Sequence, residues 1–231
     1  MKMRGMRRIT RRTLLMILTG LTLLTSLSQA GNQKSRRRGF QKSWPFPTTL
    51  EPRQAPSAPE AVAALADVLK GNVIRVDVAE NGNRFTFDED PVFPEDGLPA
   101  FGNEFITEGF IYPYGTLDGT NGVNPNGTPE FPDKVIGRWT CRGWHVGDGA
   151  HTETGPWVAT QQLFDFGAKP GRTTLTTDGL ELPDVNVPIQ RAVTGGTGVL
   201  SGARGEQAQT FLGWNQSIGT NSRHEFKPSL K

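Results

Sequence analysis

The segment RAVTGGTGVLSGARGE, residues 191–206, is more informative about the fold than any other part of this chain. Runs of β-forming residues are interrupted there by five glycines: Gly195, Gly196, Gly198, Gly202 and Gly205. Glycines this dense outside a low-complexity region are typical of positions where the backbone needs a positive φ angle or a close approach to another strand. The segment therefore predicts strands of a strongly curved sheet, joined by a tight corner.

A second interpretation of the same glycines is a phosphate-binding loop or a dinucleotide fingerprint. Both need a strand before the glycines and a helix after them, so that backbone N–H groups face the anion. Here Val199 and Leu200 follow Gly198, and the sequence Ser-Gly-Ala-Arg-Gly comes next, which does not begin a helix. The structural corner is therefore the favoured interpretation.

Residues 1–30 have the pattern of an export signal that is removed from the mature protein. Six basic residues and no acidic ones precede an apolar run from Leu14 to Leu27, and Ser28-Gln29-Ala30 supplies small residues for cleavage. The apolar run is short and interrupted, so no stable membrane insertion is expected after its removal. We expect an exported protein, periplasmic or extracellular; the Arg11-Arg12 pair leaves ordinary secretion and twin-arginine export both open.

Removal of this leader changes the sign of the net charge. The whole chain carries 25 basic and 23 acidic residues, and six of the basic ones lie in residues 1–30, so the remainder has 19 against 23, a net charge of −4. Much of the remaining basic charge lies in residues 31–57, a proline-rich segment with the composition of a disordered linker. The acidic body lacks the basic face that nucleic acid requires, so no nucleic-acid partner is expected.

The hydrophobic period predicts one short helix followed only by strands. Residues 58–71 carry an apolar stripe at helical spacing and end at Gly71. Over residues 72–231 the period is two, beginning with the hairpin VIRVDVAENGNRFTF at 73–87. Many short antiparallel strands with glycine corners favour a closed barrel, because closure removes free sheet edges. We therefore predict an all-β protein: a closed antiparallel β-barrel of about eight strands with a short N-terminal helix.

Four segments in this region carry a family resemblance. They are GNEFITEGFIYPYGTL (102–117), VIGRWTCRGWHVGDG (135–149), GPWVATQQLFDF (155–166) and AVTGGTGVLSGARGE (192–206). In this order they resemble strands of the bacterial allene oxide cyclase-like barrel domains, relatives of plant allene oxide cyclases and dirigent proteins. The resemblance implies a barrel of about eight antiparallel strands around an apolar cavity, and a homo-oligomer.

The function expected from this resemblance is binding of an apolar small molecule in the cavity. Apolar walls with few polar groups suit the positioning of a reactive intermediate, so any activity is predicted to be an isomerisation or cyclisation without metal or organic cofactor. The residues of the two family reactions are not recognisable here: the first hairpin lacks the cyclase motif, and residues 180–193 have no arginine at the dirigent spacing. The alternative is a non-catalytic secreted binding or surface protein that uses the barrel as a scaffold.

Strand parity nominates residues for the cavity wall. In residues 135–146, Trp139, Cys141 and His145 share one face, and Arg138 and Arg142 mark the other face as outward. His145 would then lie near a barrel mouth as an acid–base group; the alternative is a histidine that only forms a hydrogen bond at the strand end. Cys141, the only cysteine, is interpreted as a buried thiol rather than a nucleophile.

Glu108 and Tyr112 share a face of the strand predicted over residues 101–112. If that face is interior, burial raises the pKa of Glu108, as a general acid requires. If Phe105, Thr107 and Ile111 point inward instead, Glu108 is a surface residue, and parity leaves both arrangements open. The expected site combines two catalytic candidates with three residues against the ligand: Glu108 and His145, then Tyr112, Trp139 and Cys141.

Two polar clusters offer metal-binding atoms, but neither has a convincing ligand pattern. Asp118, Asn121 and Asn124 lie in the loop over residues 113–133 without the spacing of a calcium loop. Asp148 and His151 lie in another loop with few further ligand residues. No metal is therefore predicted.

Overall fold

The computed structural model describes residues 59–229 of the 231-residue chain. The expected export signal (1–30) and linker (31–57) lie outside the described residues. One α-helix precedes nine strands within this range: α1 (Pro59–Lys70), β1 (Ile74–Glu80), β2 (Thr86–Phe87), β3 (Glu104–Pro113), β4 (Gly137–His145), β5 (Val158–Phe166), β6 (Thr174–Glu181), β7 (Pro188–Gly196), β8 (Arg204–Trp214) and β9 (Thr220–Ser229). No helix in this range is both long and apolar enough to cross a membrane.

The eight long strands form a closed antiparallel barrel. Strands β3 to β9 pair in sequence order, and β1 pairs with β9 on one side and with β3 on the other. The seam between β1 and β3 runs from Val76 opposite Pro113 to Glu80 opposite Gly109. The two-residue strand β2 adds a ninth strand beside β3. The predicted all-β closed barrel with a short helix is therefore confirmed.

Alternate residues of each long strand fill the barrel interior. Strand β5 shows the period of two most clearly, because Val158, Thr160, Gln162, Phe164 and Phe166 are all buried and the residues between them are more exposed. Helix α1 packs its half-buried Ala64, Leu65, Val68 and Leu69 against the interior cluster. The helix contacts β1, β3 and the turn before β4, so it lies at the barrel end where β1 and β4 begin.

A second apolar cluster lies outside the barrel, beneath the loop over residues 113–133. Its buried members are Ala79, Phe110, Tyr112, Leu117, Val123 and Val135. Asp77 anchors the loop, because its buried carboxylate accepts hydrogen bonds from the Leu117 backbone N–H at 2.9 Å and from the Arg223 guanidinium at 2.8 Å. The outer faces of β1 and β3 are therefore covered by this loop.

The glycine-rich segment forms the corner between β7 and β8. A three-residue 3-10 turn, Gly198–Leu200, stands where a phosphate-binding loop would need an α-helix. Gly198 has φ +62°, and a Cβ there would overlap the Arg172 carbonyl oxygen. A Cβ at Gly196 would lie 2.7 Å from the Thr174 carbonyl oxygen. Backbone geometry thus demands glycine at these two positions.

Candidate functional site

The barrel end opposite α1 is formed by the carboxyl ends of β1, β4, β6 and β8. Because the strands alternate in direction, these ends bring Glu80, His145 and Glu181 to the same side of the molecule. We call this end the mouth. Its inner wall is polar and titratable, whereas the interior near α1 is lined mainly by apolar residues such as Phe164, Phe166 and Leu175.

Glu181, the last residue of β6, is the centre of a hydrogen-bond network at the mouth. Its Oε1 accepts hydrogen bonds from the Thr160 hydroxyl and from Gln162 Nε2, the latter at 3.0 Å. Its Oε2 accepts from Gln209 Nε2 at 2.6 Å. The Gln162 amide also donates to Gln209 Oε1 at 3.0 Å, which links β5 to β8 across the interior. The expectation of an apolar cavity with few polar groups is therefore wrong at this level of the barrel.

The Arg191 guanidinium lies beside Glu181 and is fully buried, with 0% of its side chain exposed. Its Nη1 is 3.6 Å from Glu181 Oε1 and donates to the Leu180 carbonyl oxygen at 3.0 Å. Its Nη2 donates to the Thr160 hydroxyl at 2.8 Å, so Thr160 connects the two charged groups. An unpaired charge at this depth would be very unfavourable, and the ion pair offsets that desolvation.

Gly179 makes room for the Arg191 side chain. A Cβ at position 179 would lie 3.0 Å from Arg191 Cγ and 3.2 Å from its Cβ. Arg191 is not among the site residues predicted from the sequence. The signal was present, because Arg191 and the buried Val193 occupy the same face of β7.

A second buried carboxyl group, Glu80, lies at the end of β1. Its Oε2 accepts hydrogen bonds from the backbone N–H and the hydroxyl of Thr220, both at 2.7 Å. Burial raises the pKa of Glu80, and the negative charge of Glu181 raises it further, against the hydrogen bonds from Thr220 and Thr107. Glu80 is also not among the site residues predicted from the sequence, although it falls on the same alternate positions of β1 as the buried Ile74, Val76 and Val78.

Trp139, Cys141 and His145 face the interior, as strand parity predicts. Burial raises the pKa of the Cys141 thiol well above its ordinary value, and Sγ lies 3.7 Å from Glu181 Oε1 as a hydrogen-bond donor. Because the thiolate is the reactive form, this environment does not suit a nucleophile. Burial lowers the pKa of His145, whose Nδ1 is 3.4 Å from the Asn103 carbonyl oxygen, so the imidazole is neutral at neutral pH.

Two residues expected in the cavity lie outside it. Phe105, Thr107 and Ile111 point inward, which places Glu108 on the outer face with 54% of its side chain exposed and an ion pair to Arg84 at 3.2 Å. Tyr112 is buried, but in the cluster beneath the loop, where its hydroxyl donates to the Gly122 carbonyl oxygen at 2.7 Å. Burial also raises the pKa of Tyr112. Neither side chain can contact a ligand in the barrel interior.

Three aromatic residues, Trp157, Phe211 and Trp214, pack together at the mouth; we call them the aromatic trio. Ring centroids lie 5.7 Å apart between Phe211 and Trp214 and 5.9 Å apart between Trp157 and Trp214, both edge to face. The Trp157 backbone N–H donates to the Glu181 carbonyl oxygen, and Phe211 follows Gln209 on the inner face of β8. The trio therefore adjoins the Glu181 network.

His224 lies deeper in the interior and is fully buried. Its Nδ1 contacts Gln207 Nε2, and its Nε2 is 2.7 Å from the Ser222 hydroxyl. Burial, followed by the positive charge of Arg191, lowers the pKa of His224 well below its ordinary value. A neutral imidazole that accepts from Gln207 at Nδ1 carries its proton on Nε2, so it donates to Ser222 and does not activate the hydroxyl.

The metal-binding clusters considered from sequence are held by their own hydrogen bonds. Asp118 Oδ1 accepts from Thr120, and Asn121 Oδ1 accepts from the Asp118 backbone N–H. His151 pairs with Asp96 at 2.8 Å. No group of three metal-binding side chains occurs within residues 59–229.

Comparison with known proteins identifies distant structural similarity alone. No protein-family model and no curated protein matches this sequence. Among solved structures, pyocyanin demethylase is 15% identical, with 68% of this chain and 99% of that chain covered and a TM-score of 0.41. The pterocarpan synthase dirigent protein PsPTS1 is 14% identical, with 66% of this chain and 90% of that chain covered and a TM-score of 0.48. The pterocarpan synthase dirigent protein GePTS1 is 13% identical, with 66% of this chain and 83% of that chain covered and a TM-score of 0.46. Similarity at this level assigns neither a family nor an activity.

Proposed function

We propose that this protein is exported and binds a small apolar ring compound at the barrel mouth, where paired carboxyl groups promote an isomerisation or cyclisation. The observation that carries this proposal is the Glu181–Arg191 ion pair, set with Glu80 in a buried layer beside the aromatic trio. Apolar rings with a few convergent polar groups are typical of small-molecule sites.

The two carboxyl groups have different surroundings, as a general acid and a general base require. The raised pKa of Glu80 favours its protonated form, which can donate a proton. The Glu181 carboxylate accepts hydrogen bonds from Thr160, Gln162 and Gln209 and lies beside the Arg191 guanidinium, which places it among donors. Isomerisation and cyclisation rearrange bonds within one molecule, so proton transfer and electrostatic stabilisation are sufficient chemistry.

A fluorescent apolar probe tests the binding site. N-phenyl-1-naphthylamine is uncharged and fluoresces more strongly in apolar surroundings, so we expect an increase in its emission with the wild-type protein. Trp214→Ala should weaken its binding by about tenfold, because truncation of an aromatic contact typically has an effect of this size. Trp144→Ala is the matched control, since Trp144 and Trp214 are both 50% exposed but Trp144 lies on the outer face of β4. Absence of binding, or equal effects of both variants, would refute the proposal.

A second candidate is a scaffold protein that binds a macromolecule through its outer surface. Exposed apolar side chains favour it, notably Phe101, Ile106 and Trp144 around β3 and β4. Native mass spectrometry of protein purified from its own host separates the two functions. A co-purifying small molecule supports the mouth site, and a bound protein supports the scaffold.

A further inference from the structure

The interior wall carries a group of polar atoms that the network at Glu181 leaves unpaired. We propose that these atoms bind a neutral hydroxyl group of the ligand, so that the compound bound at the mouth is a phenol or alcohol rather than a carboxylate. This inference rests on the proposed function and specifies the ligand of the same site. The group consists of Gln162, Thr177, Arg191 and Gln207, which we call the inner polar wall.

The four residues come from four consecutive strands, β5 to β8, and all point inward. Each is at least 97% buried, and each has one polar atom without a hydrogen-bond partner in the part of the chain that the structure describes. These atoms are Gln162 Oε1, Thr177 Oγ1, Arg191 Nε and Gln207 Oε1. Buried polar atoms in folded proteins nearly always have a partner, so four neighbouring exceptions indicate a partner from outside the chain.

Strand register places these residues next to one another. Gln162 is directly opposite Thr177, and Arg191 is directly opposite Gln207. Thr177 is opposite Val193, which is two residues from Arg191 on the same face of β7. The four side chains therefore form one continuous section of the wall, next to Glu181.

The Glu181 carboxylate sets the orientation of the Gln162 amide, because a carboxylate accepts only from the amide nitrogen, and the Gln207 amide has its nitrogen towards His224. Gln162 Nε2 donates to Glu181 and to Gln209, so its Oε1 is left as an acceptor. Gln207 Nε2 faces His224 Nδ1, which leaves its Oε1 as an acceptor as well. The inner polar wall thus offers two acceptors, one donor at Arg191 Nε, and one hydroxyl that can do either.

A neutral hydroxyl matches this set of atoms. It can accept hydrogen bonds from Arg191 Nε and from the Thr177 hydroxyl, and it can donate its own proton to a glutamine oxygen. A carboxylate offers acceptors alone and would face two amide oxygens, and the positive charge of Arg191 that could attract it is already paired with Glu181. An unsubstituted hydrocarbon would leave all four atoms unpaired, which is unfavourable.

Three compounds with the same ring system test this inference. 2-Naphthol, naphthalene and 2-naphthoate differ in one substituent, and their affinities are measured by equilibrium dialysis at neutral pH, where naphthol is uncharged and naphthoate is an anion. We expect naphthol to bind at least about tenfold more tightly than either of the other two, as expected where a site hydrogen-bonds one specific hydroxyl.

Substitution of Thr177 tests whether the tighter binding of 2-naphthol depends on the inner polar wall. Thr177→Val replaces an unpaired hydroxyl with a methyl group of similar size, so the barrel should remain folded, as checked by circular dichroism. We expect it to reduce the naphthol preference several-fold without weakening naphthalene binding, whereas Thr177→Ser retains the preference. Thr210→Val, the same substitution on the outer face of β8, is the control and should change nothing.

The outcomes separate this inference from the proposed function. If none of the three compounds binds, the small-molecule site is refuted and this inference with it. If the compounds bind but naphthol has no advantage, or naphthoate binds most tightly, the hydroxyl site alone is refuted. The hydroxyl site is also refuted, without the small-molecule site, if Thr177→Val keeps the full preference for naphthol.

Discussion

Glu80 and Glu108 lie on neighbouring strands but have opposite surroundings, one buried and one exposed to solvent. Glu80 is buried at the mouth and accepts hydrogen bonds from Thr220, whereas Glu108 extends into solvent and forms an ion pair with Arg84. Burial penalises the charged form of Glu80 and raises its pKa. A carboxyl group in such a position lowers the stability of the folded protein whenever it is ionised.

Glu80→Gln should therefore stabilise the protein at neutral pH. The pKa of Glu80 is raised in the folded state from its ordinary value of 4.5, so stability is lost as the pH rises from that value to the folded pKa, and the loss is constant at higher pH. The advantage of the variant should increase as the pH rises from about 4.5 and then become constant. Urea unfolding of the wild-type protein and of Glu80→Gln, from about pH 4.5 to pH 7, measures the difference in the free energy of unfolding.

Glu108→Gln is the control for this measurement, because exposed substitutions usually change stability by less than about 0.5 kcal/mol. A wild-type protein that is more stable than Glu80→Gln at pH 7 would contradict the burial argument. It would mean that the ionised carboxylate and its bonds to Thr220 outweigh desolvation.

The corner between β7 and β8 is the element in which local sequence and backbone geometry correspond most directly. Gly198 has a positive φ and lies against the Arg172 carbonyl oxygen, while the nearest obstacle to a Cβ at Gly195 is the Thr176 hydroxyl at 3.0 Å, the end of a side chain. A backbone atom cannot move without disturbing the sheet, but a side chain can rotate. The two glycines should therefore differ in their tolerance of alanine.

We expect Gly198→Ala to lower the free energy of unfolding by at least about 2 kcal/mol, because it adds backbone strain to a steric overlap. Gly195→Ala should cost less than about 1 kcal/mol. Denaturant unfolding of both variants measures the difference. If both variants lose the same free energy of unfolding, the requirement for glycine is not specific to position 198.

Strand β3 shows where an element-level pattern is insufficient. The sequence shows the alternation of the two faces of β3, but it does not show which face points inward. One face carries Phe105 and Ile111 and the other carries Phe110 and Tyr112, so both faces have large, mainly apolar side chains. Both faces are apolar since the loop over residues 113–133 covers the outside of the strand. A remote covering segment therefore decided that Glu108 and Tyr112 lie outside the cavity.

The whole barrel encloses two neutral imidazoles, His145 and His224, which link its stability to pH. Their pKa values are lowered by burial, so the unfolded chain binds protons below about pH 6.5 that the folded protein does not. Stability should therefore fall as the pH decreases below about 6.5, at up to about 1.4 kcal/mol per pH unit for each histidine.

His224→Gln should make this dependence less steep, as measured by urea unfolding between pH 7.5 and 5. The half-buried His151 has the opposite effect on the pH dependence of stability, because its hydrogen bond to Asp96 raises its pKa. That pair adds stability below about pH 6.5 that is lost as the pH rises through the folded pKa, so His151→Asn should make the loss in acid steeper. If His224→Gln leaves the pH dependence of stability unchanged between pH 7.5 and 5, a buried neutral His224 is refuted.

The short helix, the succession of antiparallel strands and the glycine corner could all be predicted from the amino-acid sequence, as could the inward direction of Trp139, Cys141 and His145. These features follow from residue spacing and from backbone sterics, which act over a few neighbours. The meeting of Glu80, Glu181 and Arg191 at one mouth, and the position of Glu108 and Tyr112 outside it, depend on the folded barrel. Barrel closure joins residues more than a hundred positions apart, and burial by distant segments sets which face of a strand is inside; neither is encoded in local periodicity.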